Sequence, residues 1–177
     1  MEQTALLIVD MQTALVAGHP CREAELLGNL QTLLGAARSG GTEVIYVRHD
    51  GGAGDELEAG SDGWQICAQL APAEGEKIFE KRYNSAFKDT PLRAYLDGHG
   101  IKTLVLVGMQ TEYCIDATCK AAFEFGYTLV MPHRTTATFD NSFFKAETIV
   151  DYYEQMIWAG RFARIMPVAD AAGRFLA

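Results

Sequence analysis

Cys114, Asp10 and Lys81 are the side chains whose types, taken together, could carry out acyl transfer. A thiolate attacks a carbonyl carbon, a carboxylate can take the thiol proton and return it to a leaving group, and a lysine ammonium supports the charge on both. Singly, each has a plainer reading. A free cysteine is often a small buried residue, an aspartate after a strand caps a turn or a helix, and a lysine is usually a solvated charge. Their common placement singles them out, because each follows a run that reads as a β-strand.

Residues 5–9, Ala-Leu-Leu-Ile-Val, end on Asp10 and form the body of a strand predicted over 4–9. Residues 103–107, Thr-Leu-Val-Leu-Val, form another. The lack of alternation in both is the pattern of strands buried on both faces of a parallel sheet. Gly108 ends the second run. Thr111 is placed to cap a helix, Glu112 suits its positive end, and Ala117, Ala121, Ala122 and Phe125 recur at helical spacing up to Gly126. Cys114 then falls in the first helical turn, where exposed N–H groups and the macrodipole are expected to pull a thiol below its usual pKa of about 8.5. Residues 77–80 read as a shorter strand with Lys81 just beyond it.

Between these landmarks strands and helices alternate. Pro20 is predicted to open a helix with Leu26, Leu27, Leu30, Leu33, Leu34 and Ala37 on one face, ended by Gly40 and Gly41, and residues 43–47 form the next strand. Thr90 and Pro91 mark another helix start. Residues 127–131 form a fifth strand and 135–138 a threonine-rich loop. A helix over 141–159 buries Ala146, Ile149, Val150, Tyr153 and Ile157, and a sixth strand over 164–166 stops at Pro167 before a short last helix. Residues 49–76 lack periodicity and intersperse glycines with acids, as functional lids and disordered segments do. Trp64 within them either walls a pocket or pins the loop to the core. The whole reads as one doubly wound α/β domain spanning residues 1–177. In such a sheet, sites form beyond the carboxyl ends of the strands where strand order reverses, and all three reactive residues lie just past such ends.

A composition of 49% hydrophobic and 21% charged residues suits a globular domain and excludes a disordered chain. The net charge of -8 comes without a lysine or arginine cluster to replace phosphate counterions, so no nucleic-acid partner is expected. The start of the chain has no basic segment, and its apolar run is too short for a leader or a membrane span. A cytoplasmic location and no membrane partner are expected. Cys21, Cys67, Cys114 and Cys119 include no Cys-x-x-Cys pair and are expected as free thiols. His19, His49, His99 and His133 are scattered, with no second ligand at helical spacing, so no structural zinc site is legible. Gly108-Met-Gln is not a dinucleotide-binding glycine turn and no phosphate loop is present, which disfavours a nucleotide-binding module.

Three segments together resemble the signatures of the isochorismatase-like cysteine hydrolases: Leu-Leu-Ile-Val-Asp10-Met-Gln, Lys81 through Ser85-Ala86-Phe87 to Thr90-Pro91-Leu92, and Gly108-Met-Gln-Thr-Glu-Tyr-Cys114. The resemblance covers nearly the whole chain, from Ala5 to Pro167. It implies a three-layer α/β/α, Rossmann-like sandwich with a six-stranded parallel sheet in the order 3-2-1-4-5-6, which sets Asp10 and Cys114 on adjacent central strands. It also implies that Asp10, Lys81 and Cys114 form a catalytic triad and that the Met109–Gln110 peptide is cis. Nicotinamidases of the superfamily bind a metal through an Asp-x-His pair and further histidines after the second strand. Here that region reads Val47-Arg48-His49-Asp50-Gly51-Gly52, with no later histidine before His99, so a metal-free branch without a cofactor is expected.

The expected reaction is hydrolysis of a small-molecule amide. Cys114 attacks the carbonyl carbon, Asp10 carries the proton to the leaving amine, and Lys81 supports both. Backbone N–H groups of Gln110 and Cys114 hold the oxyanion, worth about 3 kcal/mol per donor. Gln12, Trp64, Ser85, Phe87 and Tyr113, near the triad in sequence, are the candidate substrate contacts, with Gln110 beside them. The alternatives are isochorismatase-type vinyl-ether cleavage, which needs no acyl-enzyme, and a non-catalytic small-molecule-binding domain. Family members usually form homodimers or homotetramers, and Phe143, Phe144, Tyr152, Tyr153 and Trp158 would furnish such an interface.

Overall fold

The apolar runs of the sequence become the middle of a parallel sheet. The structure, a computed structural model, describes residues 3–175. Its strands are β1 (Gln3–Val9), β2 (Glu43–His49), β3 (Lys77–Lys81), β4 (Ile101–Met109), β5 (Thr128–Pro132), β6 (Thr136–Ala137) and β7 (Arg164–Met166). They pair in parallel in the order β3-β2-β1-β4-β5-β7, with β6 added beside the end of β4. The predicted strand order therefore holds, with β7 as the sixth strand, and β6 is a small extra strand cut from the threonine-rich loop.

The lack of alternation in β1 has a direct cause. Leu6 and Ile8 enter one core with α2 (Glu23–Ser39) and α6 (Val168–Phe175), while Ala5, Leu7 and Val9 enter the other with α3 (Leu92–Gly98) and α4 (Asp116–Glu124). The last five of the seven β1 residues, Ala5 to Val9, are fully buried, so each of these positions is worth filling with an apolar side chain. Two further helices, α1 (Thr13–Ala17) and α5 (Ala146–Tyr152), flank the carboxyl end of the sheet's central strands in sequence.

Several boundaries differ from the predicted ones, each for a local reason. The helix after Pro20 begins only at Glu23, because Arg22 is left-handed with φ 53° and Cys21 gives its N–H to Thr138 O. Five residues after Gln12 form α1, too short to show periodicity. The helix predicted over 141–159 starts at Ala146 instead. The Asn141 carboxamide accepts the N–H groups of Phe143 and Phe144, and Asp140 accepts that of Ala146, holding residues 140–145 in turns. Past Tyr152 that helix widens into looser turns over Tyr153–Trp158. Trp158 is fully buried and gives its indole N–H to Asp116, and Tyr153 is half-buried against it, so neither belongs to the aromatic surface expected at an interface. Phe143, Phe144 and Tyr152 are exposed. No helix among the described residues is long and apolar enough to cross a membrane. The reading of a leader-free start draws on Met1 and Glu2, which lie outside the described residues.

One contact sets the geometry of the site. From β1 the chain moves to one side through β2 and β3, then returns to the other edge of β1 as β4, so strand order reverses between β1 and β4. Val9 pairs with Gly108 there, and a Cβ on Gly108 would lie 2.0 Å from the Val9 carbonyl oxygen. The backbone at Gly108 also has φ 123°, which side-chain-bearing residues rarely adopt. Gly108→Ala is expected to destabilise the fold by about 2–4 kcal/mol in urea unfolding. Gly126→Ala, at φ 85° but with open space around it, should cost only about 1 kcal/mol.

Candidate active site

Three neighbouring strand ends build the site. Lys81 is the last residue of β3 and pairs with His49, the last of β2; Asp10 follows β1 and gives its N–H to Val47 O at 2.8 Å. Asp10 adopts a left-handed backbone with φ 52°, a tolerable conformation for an aspartate. The Lys81 side chain donates to Asp10 Oδ2 at 2.6 Å, to His49 Nδ1 at 3.2 Å and to Cys114 Sγ at 3.2 Å. An ammonium has three protons and no lone pair, so these acceptors saturate it. The Lys81 side chain is wholly inaccessible and that of Asp10 nearly so. A buried ion pair of this kind holds only with good geometry and with its remaining donors satisfied, and both conditions are met at Lys81.

Cys114 arrives by a different route. The strand β4 ends at Met109, the Met109–Gln110 peptide is cis, and residues Thr111–Ile115 form one wide helical turn before α4. Gln110 O accepts N–H groups from both Tyr113 and Ile115, the second reaching five residues back. Thr111 does not cap this turn as predicted. Its hydroxyl donates to the hydroxyl of Thr136 in β6, and Gln110 occupies the capping position with its side chain turned to the Thr138 hydroxyl, whose proton it accepts, rather than to the turn.

The electrostatics of Cys114 also depart from expectation. Burial, then the Asp10 carboxylate alongside, push its thiol up to about 12, against the opposing pull of the Lys81 ammonium. A helix start should lower a thiol's pKa, but here the desolvated sulfur beside a carboxylate outweighs it. Both effects favour the neutral thiol of Cys114 in this surrounding. Asp10 Oδ1 is buried and has no hydrogen-bond partner among the described residues, which leaves an acceptor within the site. The other cysteines, Cys21, Cys67 and Cys119, are free thiols also raised by burial, and none of them touches Lys81.

Beside Asp10 and Cys114 lies a cavity of about 170 Å³, lined by these two with Leu15, His49, Leu57, Asn84, Gln110 and Tyr113. Of the candidate substrate contacts, Tyr113 and Gln110 reach it. Gln12 does not: it is fully buried, its amide donates to His49 O and Trp64 O, and its carbonyl accepts from His49 N–H. It is a clamp joining the ends of β1 and β2 to the following loop. Trp64 pins that loop, buried under the Arg48 guanidinium at 3.2 Å from the ring centre. The Ser85 hydroxyl accepts the Phe87 N–H, and Phe87 packs in the core against Phe125 and Tyr127. Nearness in sequence does not bring these four to the cavity, because their side chains are taken up by contacts with the backbone and the core.

His49, Asn84, Leu15 and Leu57 are the lining residues that sequence reasoning missed. The strand-end argument that found Asp10 and Lys81 applies equally to His49, at the end of β2. Leu57 carried no signal, since its loop has no periodicity. That loop is shaped by its own acids: Asp50 accepts the N–H groups of Gly52 and Ala59, and Asp55 that of Leu57. These bonds, with the Arg82 guanidinium, hold the Asp50 carboxyl below its usual range. Among the described residues no group of three His, Cys, Asp or Glu side chains is arranged to hold a metal.

Removing Lys81 while keeping Asp10 leaves a buried carboxylate unpaired. Lys81→Met should lower stability by about 3–5 kcal/mol in urea unfolding, and adding Asp10→Asn should recover much of that loss.

Residues 4–168 match the isochorismatase domain family. Streptothricin hydrolase of Streptomyces noursei is 36% identical over 138 residues, covering 77% of this chain and 50% of that protein. The chain thus spans about half the length of the streptothricin hydrolases it matches. Ureidoacrylate amidohydrolase of Agrobacterium fabrum is 26% identical over 214 aligned positions, covering 95% of this chain and 93% of that protein. The crystal structure of an isochorismatase from Pseudomonas putida KT2440 has a TM-score of 0.89 at 30% identity, covering 95% of this chain and 89% of that one.

Proposed function

Since the chain belongs to the isochorismatase family, we propose that it is a cysteine amidohydrolase acting on a small molecule through an Asp10-Lys81-Cys114 triad. The observation that carries this reading is the single buried ammonium of Lys81 binding both the Asp10 carboxylate and the Cys114 sulfur, two groups that line one cavity. The names of the relatives, a hydrolase and an amidohydrolase, support it.

The steps follow from the residue types. The Cys114 thiol gives its proton to Asp10 as Sγ bonds to the amide carbon, so thiolate charge develops only as it is consumed. The carbonyl oxygen becomes an oxyanion, held by the backbone N–H groups of Gln110 and Cys114. As the carbon–nitrogen bond breaks, the proton on Asp10 passes to the departing nitrogen, which leaves as ammonia or an amine. Water then attacks the thioester, its proton going to Asp10 and on to the sulfur, and the carboxylic acid departs. Lys81 keeps its charge throughout and offsets that of Asp10 or of the sulfur at each stage. Vinyl-ether hydrolysis needs no acyl-enzyme, so a cysteine in this position favours the amide reading over the ether.

A screen of small amides for ammonia release tests the reading. On whichever amide is turned over, Cys114→Ala should abolish release and Asp10→Asn should lower kcat on the order of 10³-fold. An amide hydrolysed equally well by Cys114→Ala, or isochorismate turnover that survives it, would contradict the acyl-enzyme.

A further inference from the structure

The amidohydrolase reading leaves open what the cavity recognises, and His49 bears on that question. Its Nδ1 faces the Lys81 ammonium at 3.2 Å, and an ammonium can only donate, so Nδ1 must be the unprotonated nitrogen. The ring proton is thereby fixed on Nε2. His49 lines the cavity, and Nε2 has no hydrogen-bond partner among the described residues. Its backbone is held on both sides by the Gln12 carboxamide, which fixes where the ring stands. A donor of set tautomer and fixed position therefore faces the space above Cys114.

The charges around that space narrow the ligand further. The nearest cation, Lys81, does not line the cavity but lies buried behind Asp10, His49 and Cys114, to which its three protons go. No arginine lines the cavity; Arg82, in the neighbouring loop, is bound to Asp50 at 2.9 Å. Asp10 contributes a carboxylate with an unpartnered oxygen. A carboxylate on the substrate would meet that negative charge and no free cation, whereas a neutral carboxamide finds a donor in His49 and amides in Asn84 and Gln110. Burying an unpaired charge costs far more than burying a paired amide.

Resting on the amidohydrolase reading, we propose that the cavity selects uncharged carboxamides and that His49, through its Nε2–H, is the residue that donates to the substrate's acceptor oxygen. Burial and the Lys81 charge hold the imidazole below its ordinary pKa, so it stays neutral and keeps its single donor near neutral pH. A protonated ring would turn a second donor against the Lys81 ammonium.

Succinamide and succinamate test this as a pair, since they share a shape and differ by one carboxylate. Their binding to Cys114→Ala protein is measured by ligand-observed NMR, with no turnover required. Succinamide should bind more tightly on the order of tenfold. His49→Phe should weaken succinamide about fivefold and remove most of its advantage over succinamate. His49→Gln, whose amide can accept from Lys81 and donate to the ligand, should restore most of the binding. A thermal melt of each variant shows that it is folded. Equal or tighter binding of succinamate, no loss on His49→Phe, or no binding of succinamide overturns the proposal. The hydrolytic reading is judged separately, by ammonia release from the unsubstituted protein, so the two can fail independently.

Discussion

The Lys81 ammonium is the constraint on which the site depends. It is fully buried, and a buried cation persists only where every proton has an acceptor and an anion stands nearby. Asp10 supplies the charge, and His49 and Cys114 supply the remaining acceptors. These three residues come from different parts of the chain. A single requirement, to satisfy one ammonium, therefore holds the proposed nucleophile beside its proposed base.

The sheet makes that convergence possible. Parallel strands deliver their last residues to one edge, and the reversal of strand order between β1 and β4 opens a crevice there. Gly108 lets β4 pass the Val9 carbonyl closely enough for the wide turn after it to bring Cys114 over Asp10. Gln12, on the next turn after Asp10, uses its whole carboxamide to fasten the end of β2 and the loop containing Trp64. The acids of residues 50–58 then fold that loop so that Leu57 closes the cavity wall. Stability and site geometry thus rest on the same few polar groups.

Much of this was legible in the sequence because burial on both faces leaves an unmistakable mark. The unbroken apolar runs before Asp10 and in β4 locate central strands, and residue type at the strand ends points to the proposed triad. What escaped has physical reasons. Side-chain direction just past a strand end is set by tertiary contacts, so Gln12, Trp64 and Phe87 look like pocket residues and are structural. His49 has the right type and the right place, yet as one histidine among four scattered ones it carried no pattern. The pKa of Cys114 runs against its place near a helix start, because that proximity is visible in sequence whereas desolvation and the approach of the Asp10 carboxylate are not.

The account's central claim is that Cys114 rests as a thiol and that Asp10 is the group which keeps it so and receives its proton. The most direct measurement is the pH dependence of iodoacetamide alkylation at Cys114, resolved by peptide mapping from Cys21, Cys67 and Cys119, in the unsubstituted protein and in Asp10→Asn. Removing a neighbouring negative charge favours the thiolate, so the midpoint should lie above the ordinary thiol value in the first protein and fall in the second. A midpoint already below the ordinary thiol value and indifferent to Asp10→Asn would mean that a preformed thiolate paired with Lys81 is the resting state. The role assigned to Asp10 would then be wrong.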